Sequence, residues 1–142
     1  MMEGCPEYMG IWFGLSKIGA STALINTNLT RGPLLHSINL VNGKRIIYGA
    51  EMAQAISTVS ASLQNTKYYC FKRVDPGNDY NDAKLYIGID GQIELNSALQ
   101  ETATTPQPER ELKRISATDS LLKIYTSGTT GLPKAAIITF NK

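Results

Sequence analysis

Hydrophobic positions along the chain follow two rhythms. Met52, Ile56, Val59 and Leu63 recur at intervals of four, three and four, the spacing that lines one face of a helix. In contrast, "KRIIYG" (Lys44 to Gly49) and "KYYCFKRV" (Lys67 to Val74) are short runs rich in β-branched and aromatic residues, as strands are. The stripe therefore predicts a core-facing helix between two strands. The same alternation opens the chain. A helix is expected to start near Pro6, whose missing N–H is harmless in a first turn, and to stop at Gly19, after which "STALI" reads as a strand. Thr30 suits the N-cap of a second helix with Leu34, Leu35, Ile38 and Val41 on one face, closed by Asn42-Gly43.

Strands separated by helices of this length pair in parallel through crossovers, so the expected fold class is α/β, a mostly parallel sheet with flanking helices. The pattern fades between residues 75 and 118. "DPGNDYND" (Asp75 to Asp82) is turn chemistry, Leu85 to Ile89 and Gln92 to Leu95 predict a hairpin through a primed turn at Asp90-Gly91, and "TATTPQPER" (Thr102 to Arg110) reads as a surface linker. From Asp119 the apolar runs return as "LLKIY" and "KAAIITF", which bracket a loop. The expected organisation is thus 1–74 alternating helix and strand, 75–118 variable loops and linker, and 119–142 a strand–loop–strand unit.

Tyr8 to Ile25 is mostly apolar and just reaches the length of a membrane span. Lys17 near its middle would cost about 2.5–3.5 kcal/mol on insertion, so a buried helix followed by a buried strand is the expectation. The Gly10–Gly14 pair accordingly reads as close packing of a helix against a protein neighbour, and Trp12 and Phe13 as core. Glu3 and Pro6 interrupt any signal-peptide opening.

Composition narrows the function. The 142 residues carry 14 basic and 12 acidic side chains without a basic block, which argues against a nucleic-acid partner. Cys5 and Cys70 lack metal-ligand spacing and are expected as free thiols, and with a single histidine, His36, no protein metal site is predicted. His36 reads as a structural or solvated group on a helix face, and Asn26 and Asn28 as turn residues.

The candidate chemistry lies in "YTSGTTGLPKAA", Tyr125 to Ala136. Gly128 and Gly131 let the main chain approach a ligand so that N–H groups converge on an anion, Thr126, Ser127, Thr129 and Thr130 add hydroxyl donors, and Lys134 adds a positive charge at the exit. Those parts suit a phosphate. The spacing is not that of GxxxxGK[ST], because Pro133 and Ala135 stand where glycine and a hydroxyl residue would be needed.

The order apolar strand, Tyr-Thr-Ser-Gly-Thr-Thr-Gly, Pro-Lys, apolar strand resembles the phosphate loop of the adenylate-forming enzymes, which include acyl-CoA synthetases, luciferases and peptide-synthetase adenylation domains. "EYMGIWFGLSKIGASTALINTNLTRGPLLHSINL", "YGAEM" and "IYTSGTTGLPKAAI" further resemble the fatty acid transport protein branch, the very-long-chain acyl-CoA synthetases. The resemblance implies ATP, a fatty acid and coenzyme A as substrates, magnesium as the accompanying metal, and acyl-CoA, AMP and pyrophosphate as products. It implies that Thr126, Ser127, Gly128, Thr129, Thr130 and Gly131 cradle the β- and γ-phosphates, with Lys134 and Thr126 in catalytic roles. It also implies membrane association, at the endoplasmic reticulum or plasma membrane and facing the cytosol, through parts outside this sequence. Where many relatives carry a histidine beyond the lysine, this chain has Thr139, Phe140 and Asn141, so an acyl-carboxylate contact from that histidine is not expected here. Because the family is several times longer, the chain is expected to be a fragment of the large N-terminal AMP-binding domain, inactive alone. The competing expectation is a non-catalytic nucleotide-binding remnant, or a fatty-acid transporter without ligase activity.

Overall fold

The computed structural model describes residues 1–73, 88–102, 104, 115–126 and 132–141. Along these, the order is α1 (Pro6–Lys17), β1 (Thr22–Leu24), α2 (Arg31–Leu40), β2 (Arg45–Gly49), a 3₁₀ turn (Ala50–Met52), α3 (Ala53–Ser60), β3 (Lys67–Phe71), β4 (Ile93–Glu94), α4 (Leu95–Gln100), β5 (Ser120–Thr126) and β6 (Lys134–Thr139). The strands form two three-stranded sheets, β1-β5-β6 and β2-β3-β4. β1/β5, β2/β3 and β3/β4 are parallel, while β5 and β6 are an antiparallel pair joined by the glycine-rich loop. The α/β class with a mostly parallel sheet stands.

The core sits between β2-β3 and the helices α2 and α3. Leu34 and Ile38 from α2, Ile46 and Tyr48 from β2, Ile56 and Val59 from α3, and Tyr68 and Cys70 from β3 bury one another, with Met52 and Leu63 packed at the edge. The stripe read from the sequence is thus the core face of α3, extended at both ends by half-buried residues. Removing a side chain such as Ile56 from water stabilises the fold by roughly 1.5–3 kcal/mol. α2 is framed as expected: Thr30 is the N-cap residue, although its hydroxyl makes no capping bond, and Asn42 takes a positive φ of 51° beyond the helix end. Cys5 and Cys70 form no disulfide.

Three expectations are corrected. Helix α1 forms where its pattern places it, but none of its residues is buried; Phe13 is 55% exposed, so it is not core. Trp12 is half-buried, with its ring stacked on Phe13 at 5.1 Å. Gly10 and Gly14 face open space, with no atom within 4 Å of an added Cβ, so the pair supports no close helix packing among the described residues. What ends α1 is Gly19 at φ 73°, with Gly19 N–H donating to the Ser16 carbonyl and Ala20 N–H to that of Leu15. This is the double bond of a left-handed helix stop, which satisfies carbonyls the helix leaves unpaired.

The predicted hairpin is the third correction. Residues 85–87 lie outside the described residues, as do 75–82 and most of 102–110. Gln92 N–H closes a turn onto the Ile89 carbonyl, but only Gly91, at φ 72°, takes a positive φ there, which excludes a two-residue type I′ turn. Ile93–Glu94 then pairs in parallel with Tyr69–Cys70, and Leu95 begins a helix rather than continuing a strand. A side-chain amide holds this helix in place: Asn96 accepts from Lys72 N–H and donates to the Lys72 carbonyl, both at 2.8 Å, continuing the β3 ladder by one residue. No helix of the described residues is long and apolar enough to cross a membrane.

Candidate phosphate-loop site

The loop hangs from a hairpin whose register is set over six pairs, from Ser120↔Thr139 down to Tyr125↔Ala135 and Thr126↔Lys134. Side chains alternate between the two faces of a strand, and directly opposite residues share a face. Thr126 and Lys134 therefore stand side by side at the open end, both exposed to solvent. Ser127, Gly128, Thr129, Thr130 and Gly131 lie outside the described residues. Of the seven residues expected from sequence, the structure thus brings Thr126 and Lys134 together. No carboxylate of the described residues lies within ion-pair distance of Lys134.

Behind the hairpin, parallel pairing with β1 holds β5 in place, with Thr22 opposite Leu122 and Leu24 opposite Ile124, and the Ser21 and Ser120 hydroxyls meet at 2.6 Å. The opposite face of the loop's stems rests on α2. Tyr125 O–H donates to the Ser37 carbonyl at 2.7 Å, and His36 Nε2 lies 3.2 Å from the Pro133 carbonyl. A carbonyl can only accept, so His36 Nε2 carries the proton and donates. Burial pushes the Tyr125 hydroxyl up to about 12, which keeps it a neutral donor across ordinary pH.

From sequence His36 reads as a structural or solvated group and Tyr125 has no role of its own; neither contact with the loop's stems was foreseen. No local signal could have found them, because their partners lie 97 and 88 positions away along the chain. Asn26 behaves as expected, its side-chain oxygen accepting from Asn28 N–H at 2.9 Å in a turn that leads into α2. The described residues contain no group of three or more potential metal ligands.

The family model described as "AMP-binding enzyme" matches residues 1–142. The chain is 39% identical to long-chain fatty acid transport protein 1 of Bos taurus, over 99% of this chain and 20% of that protein. Its identity to long-chain fatty acid transport protein 6 of Mus musculus is 32%, again over about a fifth of the relative. Among solved structures, the anthranilate CoA ligase AuaEII in complex with anthranoyl-AMP superposes with a TM-score of 0.78 at 19% identity, covering 99% of this chain and 24% of that one. A Mycobacterium tuberculosis fatty acyl CoA synthetase gives 0.71 at 22% identity, covering 99% and 23%. At these identities the superpositions speak for the fold. The chain spans about a fifth of the curated relatives it matches, and with the family model matched from its first residue to its last, it belongs to the AMP-binding enzyme family.

Proposed function

We propose that the chain is the phosphate-loop segment of a long-chain or very-long-chain fatty-acid–CoA ligase. The observation that carries this reading is the Thr126–Lys134 pair, a hydroxyl and an ammonium with no carboxylate partner among the described residues, flanking a glycine-rich loop within a chain matched end to end by an AMP-binding family. In the reaction, the fatty-acid carboxylate attacks the α-phosphate of ATP, releasing pyrophosphate and leaving an acyl-adenylate. The thiolate of coenzyme A then takes the acyl group and releases AMP.

The role of this segment is to hold the phosphates that leave. Backbone N–H groups of Ser127 to Gly131 and the hydroxyls of Thr126, Ser127, Thr129 and Thr130 donate to the β- and γ-phosphate oxygens, and Lys134 balances the charge that builds on pyrophosphate. Donors fixed in advance where charge develops stabilise the transition state without reorganising. The exposed Lys134, without a carboxylate partner among the described residues and beside the Thr126 hydroxyl, fits a polyphosphate. The described residues supply no carboxylate cage for magnesium, and no step is assigned to the metal. Membrane association, at the endoplasmic reticulum or plasma membrane with the domain facing the cytosol, belongs to parts beyond this segment.

Similarity to long-chain fatty acid transport proteins favours a second reading, fatty-acid transport without ligation. Fatty-acid-dependent exchange of labelled pyrophosphate into ATP by the complete protein separates the two. Exchange that requires a long-chain fatty acid supports the ligase; uptake of fatty acid with no exchange supports transport alone.

A further inference from the structure

Both stems of the glycine-rich loop are hydrogen-bonded to adjacent residues of one helix. Tyr125, one residue before the end of β5, donates to the Ser37 carbonyl, and Pro133, the last residue before β6, accepts from His36. The chain thus leaves α2 at Tyr125 and returns to it at Pro133, with Thr126 directly after the first attachment point and Lys134 directly after the second. We propose that His36 is a positioning residue for Lys134, acting through the Pro133 carbonyl; this rests on the phosphate-loop reading given above.

One peptide plane links the His36 contact to Lys134. The Pro133 carbonyl and the Lys134 amide nitrogen belong to a single planar unit, and proline's ring already restricts its own φ. A donor on the Pro133 carbonyl therefore fixes the direction in which the backbone of Lys134 sets out. Pro133 has no N–H of its own, so its carbonyl is the one backbone group there that a neighbour can hold. Tyr125 restrains the opposite stem through a different bond, so losing His36 lets the last rung fray at Lys134 while the rest of the hairpin stays paired. A lysine with a freer backbone loses more entropy when it closes on phosphate.

The test compares wild type with His36→Phe, which keeps a flat ring but has no donor, and His36→Gln, which keeps a side-chain N–H. Inorganic tripolyphosphate is titrated into the 142-residue chain, since it presents the phosphates and needs no adenine pocket. His36→Phe should weaken binding about 2- to 10-fold, the range of one lost hydrogen bond, and His36→Gln should recover most of it. Lys134→Ala in the same titration reports on the phosphate-loop reading itself: if wild type binds no better than Lys134→Ala, that reading fails.

Two measurements judge the His36 contact without any phosphate. Because His36 is the lone histidine, its ring-nitrogen NMR shifts are unambiguous and should show Nε2 protonated at neutral pH. Amide exchange at Lys134 should quicken in His36→Phe and return toward wild type in His36→Gln. Wild-type exchange and affinity in His36→Phe, or a neutral ring protonated on Nδ1 alone, overturns the proposal.

Discussion

Thr126 and Lys134 are direct partners across the last rung of the β5–β6 hairpin, which places a hydroxyl and an ammonium at the neck of the same loop. The pairing is a backbone property, so it survives side-chain substitution at either position. Effects of such changes on nucleotide chemistry can then be read as losses of the group itself.

Replacing Lys134 by alanine in the complete protein is expected to lower fatty-acid-dependent pyrophosphate exchange by about 10²–10³-fold, the effect of removing one charged or hydrogen-bonding stabiliser of a transition state. Lys134→Arg should keep the charge and retain part of the rate. Stability of the two variants should match wild type, because Lys134 is exposed and has no ion-pair partner among the described residues. Exchange unaffected by Lys134→Ala would remove this residue from the chemistry.

Tyr125→Phe removes the bond to the Ser37 carbonyl and should destabilise the fold by about 1–3 kcal/mol, because the half-buried carbonyl loses its donor. The pH dependence has a definite sign. The folded hydroxyl titrates at about 12 instead of the ordinary 10, so the folded state holds this proton more tightly than the unfolded chain does. The stabilisation is complete below pH 10 and disappears as pH rises toward about 12. Thermal unfolding across that window should therefore fall more steeply for wild type than for Tyr125→Phe. Burial also raises Tyr8 and Tyr68, so the difference between the two proteins is the quantity to compare.

Ile56→Ala should destabilise by about 2–5 kcal/mol, since the side chain is fully buried between α3 and the β2–β3 strands. Phe13→Ala removes a larger side chain from α1 but should change stability by no more than about 0.5 kcal/mol, because the ring is more than half exposed. Urea unfolding of both variants checks the contrast. A Phe13 effect as large as that of Ile56 would show that α1 is covered in solution.

Gly19→Ala forces a side chain onto a positive-φ residue and brings its Cβ to 3.1 Å from Ile115 Cγ1. The expected loss is about 1–2 kcal/mol. Gly32→Ala meets no atom within 4 Å and carries no positive φ, so it serves as the matched control in the same thermal melts.

The elements legible in the sequence were those whose signal is local. Met52, Ile56, Val59 and Leu63 announce a helix by spacing alone, and the β-branched run around Ile46 and the aromatic run around Tyr68 announce strands. Helix α4 was hidden because six residues are too few to show a period, and because Asn96 docks it to Lys72 through contacts 24 positions away. The exposure of Phe13 was equally hidden: an apolar pattern marks what a helix can bury, while burial depends on what packs against it. The loop was legible as chemistry through its glycines, hydroxyls and lysine. The stems' attachment to α2 was not, since a histidine on a helix face looks alike whether it meets solvent or a distant proline carbonyl. Ser127 to Gly131 lie outside the described residues, so their place in the site rests on the sequence.

β5 is the central strand of its sheet, and its parallel partner β1 lies about a hundred residues earlier, with Thr22 opposite Leu122. Everything in the β2–β3–β4 sheet is made in between. Closing so long a stretch is entropically slow, and non-local parallel pairing forms late. During synthesis from the N-terminus, the β2–β3 core can therefore consolidate while β1 waits as an unpaired strand, open to wrong partners. In temporal terms, the loop's support is the last part of this segment to exist.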